Sequence, residues 1–228
     1  MTLPEGVPLR LYGRRRGHPL RPRQERLLAE TLPRLRFDPS QRPLPDPLWL
    51  EVGFGGGEHA LAQREAHPEV TLVASEVFEN GICSLLSRLV PDGEEASAPL
   101  PPRLFLWPQD ARDLIAALPD ASLSRLFLMF PDPWPKARHA KRRFVHPAML
   151  PVVARVLKPG AEWRIASDDP TYQDWVMETF RDQRHFEQVS CVALRPECWP
   201  PTRYEQKALR EGRTPFYWVF RRARKKGA

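Results

Sequence analysis

From residue 48 onward the chain alternates between short apolar runs and segments with apolar residues every three or four positions. "LWLEVGF" (48–54) is an apolar run stopped by "GGG", and "EHALAQREA" behind it has helical spacing. "VTLVASEV" (70–77) and "NGICSLLSRLV" (80–90) repeat the pattern, as do "PRLFLWPQDA" (102–111) and "RDLIAAL" (112–118). A fourth apolar run, "SRLFLMF" (124–130), leads into a proline-rich acidic and then basic segment. "HPAMLPVVARVL" (146–157) places Met149, Val152, Val153, Val156 and Leu157 on one helical face. Pro147 suits the first turn, while Pro151 marks either a kink or a later start. "AEWRIASD" (161–168) predicts a fifth strand and "YQDWVMETFRDQ" (172–183) a helix. Strands alternating with helices predict βαβ units with right-handed crossovers, hence an α/β fold with a doubly wound, mostly parallel sheet. The last two apolar runs, "FEQVSCVAL" and "PFYWVFRR", are joined by a polar stretch without an apolar crossover helix. They predict an antiparallel pair at the sheet edge.

The first 47 residues follow another pattern. "YGRRRGHPLRPRQ" is basic and turn-rich, "QERLLAETLPRL" (24–35) has helical periodicity, and "DPSQRPLPDP" (38–47) is a stiff, exposed connector. The expected organisation is a basic extension over 1–47, one α/β domain over 48–222 and a basic tail over 223–228. A chain of 228 residues with 42% hydrophobic content supports one core of that size.

Charge changes the picture toward a polyanionic partner. The formal net charge is +7 and the isoelectric point about 9.7, a balance that suits a nucleic acid or an anionic membrane and that a general arginine bias also produces. Cys83, Cys191 and Cys198 are too few and too scattered for a disulfide framework or a zinc cluster, so no metal is expected. No apolar stretch approaches a membrane span, and the N-terminus lacks the apolar core of a signal peptide. A cytoplasmic protein without a membrane partner is expected.

Four constellations carry candidate chemistry. In "LEVGFGGGEHAL", Gly53, Gly55 and Gly57 lie between strand and helix, where missing β-carbons let backbone N–H groups approach a ligand. Glu58 breaks the dinucleotide fingerprint, and Glu51 puts a carboxylate just ahead of the glycines. That combination disfavours a pyrophosphate and suits a cationic, phosphate-free ligand such as S-adenosyl-L-methionine. Glu76 ends the second strand about 20 residues on, where an acid takes ribose hydroxyls. Asp110 ends the third strand, placed to accept from an adenine amino group. The fourth constellation is "FPDPWPKARHAKRR": Pro131 and Pro133 lock Asp132 in an extended backbone beside Trp134, a stacking surface, and a strip of basic residues.

Together, "EVGFGGG", "FPDPWPKARHAKRR", "ASDDPTY" and "PTRYEQKALREGRTPFY" resemble the bacterial tRNA (guanine-N7-)-methyltransferases in order and spacing, over nearly the whole chain. The resemblance implies a class I, Rossmann-like fold and methyl transfer from S-adenosyl-L-methionine to the variable-loop guanine of tRNA; the sequence leaves both a monomer and a homodimer open. It implies cofactor binding by Glu51, Gly53, Gly55, Gly57, Glu76, Asp110 and Asp132, with Asp132 also catalytic. It implies substrate binding by Lys136, Asp168, Thr202, Arg203, Tyr204 and Glu205, and RNA contact by Arg138, His139, Ala140, Lys141, Arg142 and Arg143. The family's usual "TKFE" is "TRYE" here, and its common "TD" is Ser167-Asp168. The alternatives are a class I methyltransferase with another RNA, protein or metabolite substrate, and a non-catalytic RNA-binding module.

Overall fold

The structure is a computed structural model that describes Gly13 and residues 15–224. Residues 225–228, most of the expected basic tail, lie outside the described residues, as do 1–12 and Arg14. Seven strands form one sheet in the order β3-β2-β1-β4-β5-β7-β6. They are β1 (Leu48–Val52), β2 (Thr71–Ser75), β3 (Leu104–Trp107), β4 (Leu123–Met129), β5 (Leu157–Ser167), β6 (Phe186–Val192) and β7 (Phe216–Arg222). β1 through β5 pair in parallel, whereas β7 inserts antiparallel between β5 and β6. The antiparallel edge pair is therefore present, with β6 outermost.

The period-2 pattern sorts side chains to two faces. Leu48 and Leu50 of β1 and Leu126 and Leu128 of β4 enter one core, which is covered by α5 (Ala111–Ala117), α6 (Met149–Val156) and α7 (Pro170–Arg181). Trp49, Phe127 and Met129 enter the opposite core, beneath α3 (Glu58–Ala66) and α4 (Glu79–Leu89). Strand order reverses at β1 and β4, so the crevice between their carboxyl ends is the topological switch point at which ligands bind. Both candidate loops, the glycines after β1 and the "PDP" segment after β4, open there.

The N-terminal helix starts at α1 (Pro22–Arg26), widens into a π-helical stretch over Leu27–Thr31 and ends as α2 (Leu32–Leu35). The widening precedes Pro33, whose ring would clash with the Ala29 carbonyl in an uninterrupted α-helix. Leu27 and Leu35 are buried in the second core, and Arg36 and Phe37 continue alongside Leu106 of β3. Arg26 is ion-paired to Asp92 and Glu95 behind α4.

Three elements differ from the sequence expectation. β5 starts at Leu157, a residue that helical spacing assigned to the face of the preceding helix. The sixth helix begins at Met149, which places Pro151 in its first turn, where the missing N–H removes no intrahelical bond. The polar stretch between β6 and β7 holds a helix, α8 (Arg203–Arg210). Only Glu205 and Ala208 of it are buried, so it has almost no apolar face for periodicity to detect. Its signature is the capping box Thr202-x-x-Glu205, in which each side chain accepts from the other's backbone N–H.

Candidate active site

The glycine loop is shaped by left-handed backbone: Gly53 has φ +71°, Gly55 +57° and Gly57 +85°. A β-carbon on Gly57 would lie 2.7 Å from Leu85, so the loop is pressed onto α4. Glu76 fastens it from the side. One Glu76 oxygen accepts from the Gly55 N–H at 2.8 Å, and the other from Val77 and Phe78 at 2.8 and 3.0 Å. A carboxylate has about four acceptor positions, so roughly one remains for a ribose hydroxyl while Gly55 stays bound. Burial raises the pKa of Glu76 above the ordinary glutamate value; its three N–H partners pull it back, and the charge of nearby Asp132 pushes it up.

Glu51 lies beneath the loop. It is 1% exposed and its carboxylate takes the Nδ1 of His59 at 2.9 Å. The Gln63 amide meets His59 Nε2 at 3.3 Å, which assigns the Nδ1 proton to the bond with Glu51. Glu51 falls on the α3 side of β1, in phase with Trp49, and so reaches the helix rather than the open crevice. Its charge underlies the loop, and His59 is a partner that sequence reading missed.

Gly53, Glu76, Asp110, Arg112, Arg142 and Gly13 line a cavity of about 150 Å³. Asp110 caps α5 by accepting from the Arg112 N–H at 3.0 Å and holds the Arg112 guanidinium at 2.6 Å. Both of its oxygens are therefore already engaged by Arg112, where the sequence suggested an adenine amino group.

The segment after β4 is backbone under strain. Phe130 has φ +51° and Trp134 φ +45°, conformations that cost a bulky residue on the order of 1–3 kcal/mol each. Between them Asp132 is exposed at the strand tip. Arg142 stacks on the Trp134 ring at 4.7 Å, and His139 meets its edge at 5.8 Å. A 3₁₀ turn over Ala137–Arg142 carries the basic strip. Lys136, Arg138 and Lys141 are exposed, while His139, Ala140 and Arg142 are half-buried. Partial burial and the surrounding cations hold the His139 pKa below its usual value, so its ring is neutral near pH 7. Arg143 departs from the expected phosphate track. It is 5% exposed and its guanidinium donates to the carbonyls of Pro133 and Trp134.

Asp168, at the end of β5, is ion-paired with Arg213 at 2.7 Å. Thr202 and Glu205 are buried in the cap of α8, and Glu205 also accepts from Tyr217 and Arg195, each at 2.8 Å. Of the "TRYE" run, Arg203 and Tyr204 are the exposed pair. They lie over the glycine loop: a β-carbon on Gly55 would be 3.2 Å from the Tyr204 ring, and one on Gly56 3.1 Å from the Arg203 guanidinium carbon.

Residues 45–217 match the model of a family described as putative methyltransferase. A protein of Granulibacter bethesdensis is 66% identical over 96% of this chain and 97% of its own, and is called a tRNA (guanine-N(7)-)-methyltransferase. This chain belongs to the tRNA (guanine-N7-)-methyltransferase family. The relative from Rhodospirillum rubrum with the same name is 46% identical over 93% of this chain and 88% of its own. Methyl transfer with S-adenosyl-L-methionine as donor comes with that membership. The fold recurs in the solved 16S rRNA methyltransferase KamB, with TM-score 0.55 and 17% identity over 78% of this chain and 89% of that one. A second 16S rRNA methyltransferase, from Catenulisporales acidiphilia, superposes with TM-score 0.51 and 17% identity over 80% of this chain and 88% of that one.

The methyltransferase's cradle fits its donor. The left-handed glycines bring bare backbone to the crevice, and the carboxylates of Glu76 and Asp132 stand at its mouth. One further contributor escaped sequence reading. Gly81, on α4, would place a β-carbon 2.5 Å from the Gly55 carbonyl oxygen, so α4 and the loop touch backbone to backbone. Its sequence setting is that of any helical glycine. Among the described residues of the methyltransferase, no His, Cys, Asp or Glu group is arranged to hold a metal, and no helix is long and apolar enough to cross a membrane.

Proposed function

We propose that this methyltransferase methylates N7 of the variable-loop guanine of tRNA in the cytoplasm, with residues 48–222 as the catalytic domain and 1–47 as an RNA-engaging extension. The observation that carries this reading is the segment after β4. It presents an exposed acid on a strained, proline-locked shelf, next to a basic turn and within electrostatic reach of Glu76 across the switch point. S-adenosyl-L-methionine supplies an electrophilic methyl group on a sulfonium. Guanine N7 presents an in-plane lone pair and no proton, so the site needs alignment and charge control but no general base. Asp132 stands where positive charge grows on the purine and stabilises it by charge. Asp168 lies on the same strand-end surface, oriented by Arg213, and accepts from the N–H edge of the base. Tyr204, over the glycine loop, offers an aromatic surface to the displaced base, worth about 1–3 kcal/mol. Arg142 lies over one face of Trp134 at 4.7 Å and Arg203 over one face of Tyr204 at 5.0 Å, so each ring can offer the base only its other face.

The test is nucleoside analysis of tRNA incubated with protein and S-adenosyl-L-methionine. We expect 7-methylguanosine in the variable loop; methylation of bulk protein with none in tRNA would overturn the reading. Lys136, Arg138 and Lys141 supply sequence-independent affinity. The double variant Arg138→Ala/Lys141→Ala is expected to weaken tRNA binding and to flatten the log Kd against log salt slope by about 1–2, with turnover at saturating tRNA retained. An unchanged slope would remove these residues from the interface.

The raised pKa of Glu76 fixes a direction for pH dependence. Its ionised form accepts both the Gly55 N–H and a ribose hydroxyl, so donor affinity is full above the raised pKa and is lost as pH falls through it. Calorimetric titrations at falling pH are expected to show weakening in the native protein that sets in above the range of an ordinary glutamate. Glu76→Gln should bind more weakly with a flat profile; a flat native profile would count against this assignment.

A further inference from the structure

The shelf after β4 poses a problem of support. Pro131, Pro133 and Pro135 have no N–H, and Phe130 and Trp134 sit in left-handed backbone. A segment so poor in donors is held mainly through its carbonyls. Arg143 provides that hold: its Nε donates to the Pro133 carbonyl at 2.9 Å and a terminal nitrogen to the Trp134 carbonyl at 3.0 Å. The guanidinium lies over the Trp175 ring of α7 at 4.8 Å, and the indole N–H of Trp175 donates to the Val145 carbonyl at 2.6 Å. The backbone N–H of Arg143 closes the 3₁₀ turn on the Ala140 carbonyl. One buried residue therefore ties helix α7 and the two residues following Asp132 through its side chain, and the basic turn through its backbone.

We propose that Arg143 is a positioning residue for Asp132, a strut that fixes the strained shelf, and not a member of the RNA-phosphate track. A planar fork suits the task, because two carbonyls one residue apart are met by two donors of fixed geometry, which an ammonium cannot reproduce. The inference rests on Asp132 acting in methyl transfer to tRNA, so the native protein is assayed in parallel. Absence of 7-methylguanosine there would overturn that reading, whereas normal native activity leaves Arg143 to be judged by its own variants.

The experiment compares Arg143→Ala and Arg143→Lys with Arg138→Ala. Each is measured for single-turnover methyl transfer at saturating tRNA, for tRNA Kd at several salt concentrations, and for donor Kd and thermal midpoint. Both Arg143 variants are expected to lose about 30-fold or more in rate, the lower part of the range for a misplaced catalytic group. Their tRNA Kd should stay within about threefold and their salt slope should match the native one. Arg138→Ala, in the exposed basic turn, should instead weaken tRNA binding and lower the slope by about 1. Added ethylguanidinium should recover at least about tenfold of the rate in Arg143→Ala, a response that loss of a merely structural residue would not give. A lowered salt slope with normal saturated rate in either Arg143 variant would overturn the proposal. If Arg143→Ala does not fold, Arg143→Lys decides; if neither folds, Arg143 is a stability residue and the proposal fails.

Discussion

Asp132→Asn is expected to slow methyl transfer by about 10²–10³-fold at saturating tRNA and donor, the usual cost of removing one preorganised charge from the reacting centre. The substitution keeps the shape and deletes the charge, at the cost of turning one acceptor oxygen into an amide donor. Asp132 is exposed, so its loss leaves no cavity and the thermal midpoint should be nearly unchanged. The tRNA affinity should move by less than about threefold, because the charge acts mainly where cation character develops on the purine. The shape of the rate profile above neutrality should also be unchanged, since guanine N7 has no proton to remove. Rapid-quench measurement of 7-methylguanosine formation checks the first expectation. Normal turnover in Asp132→Asn would sink the electrostatic role, and an ascending limb present in the native profile but absent in the variant would favour a general base.

Gly81→Ala is expected to weaken donor binding by about tenfold or more and to destabilise the protein by about 1–3 kcal/mol, as overpacking does. The sign is the informative part. In an exposed helix interior the same change stabilises by about 1 kcal/mol, because alanine is the better helix former. Here the new β-carbon would stand 2.5 Å from the Gly55 carbonyl oxygen, a backbone atom that cannot swing aside. Gly55 is fastened on its other side by Glu76. Either α4 moves away from the loop or the loop leaves Glu76, and both disturb the donor cradle. Calorimetric donor binding together with thermal unfolding tests this. A stabilised variant with native donor affinity would show that the contact is not felt.

Much of the architecture was legible along the chain. Short apolar runs and amphipathic segments marked every strand of the sheet and every helix that crosses it, since a strand covered on both faces is apolar throughout and a covering helix buries one stripe. Right-handed crossovers then determined a doubly wound sheet, which brought the ends of β1, β2, β3 and β4 to one crevice. The helix α8 escaped because it buries so little, although its capping box was written in Thr202 and Glu205. Those two residues were assigned to substrate on family resemblance; their side chains are taken up by the cap and by Tyr217 and Arg195, leaving Arg203 and Tyr204 to face the loop.

The order of elements, the place of the crevice and the residue types around it were set by the sequence itself, through rules that act over a few residues or over strand order. Which charged groups are free to act was decided only by the tertiary structure. Glu51 is held by His59 and Asp110 by Arg112, Asp168 is oriented by Arg213 with acceptor capacity to spare, and Arg143 turns inward to the carbonyls of the shelf. The work of a carboxylate or a guanidinium depends on its nearest opposite partner and on its exposure, and both are fixed by packing between elements that the sequence keeps apart.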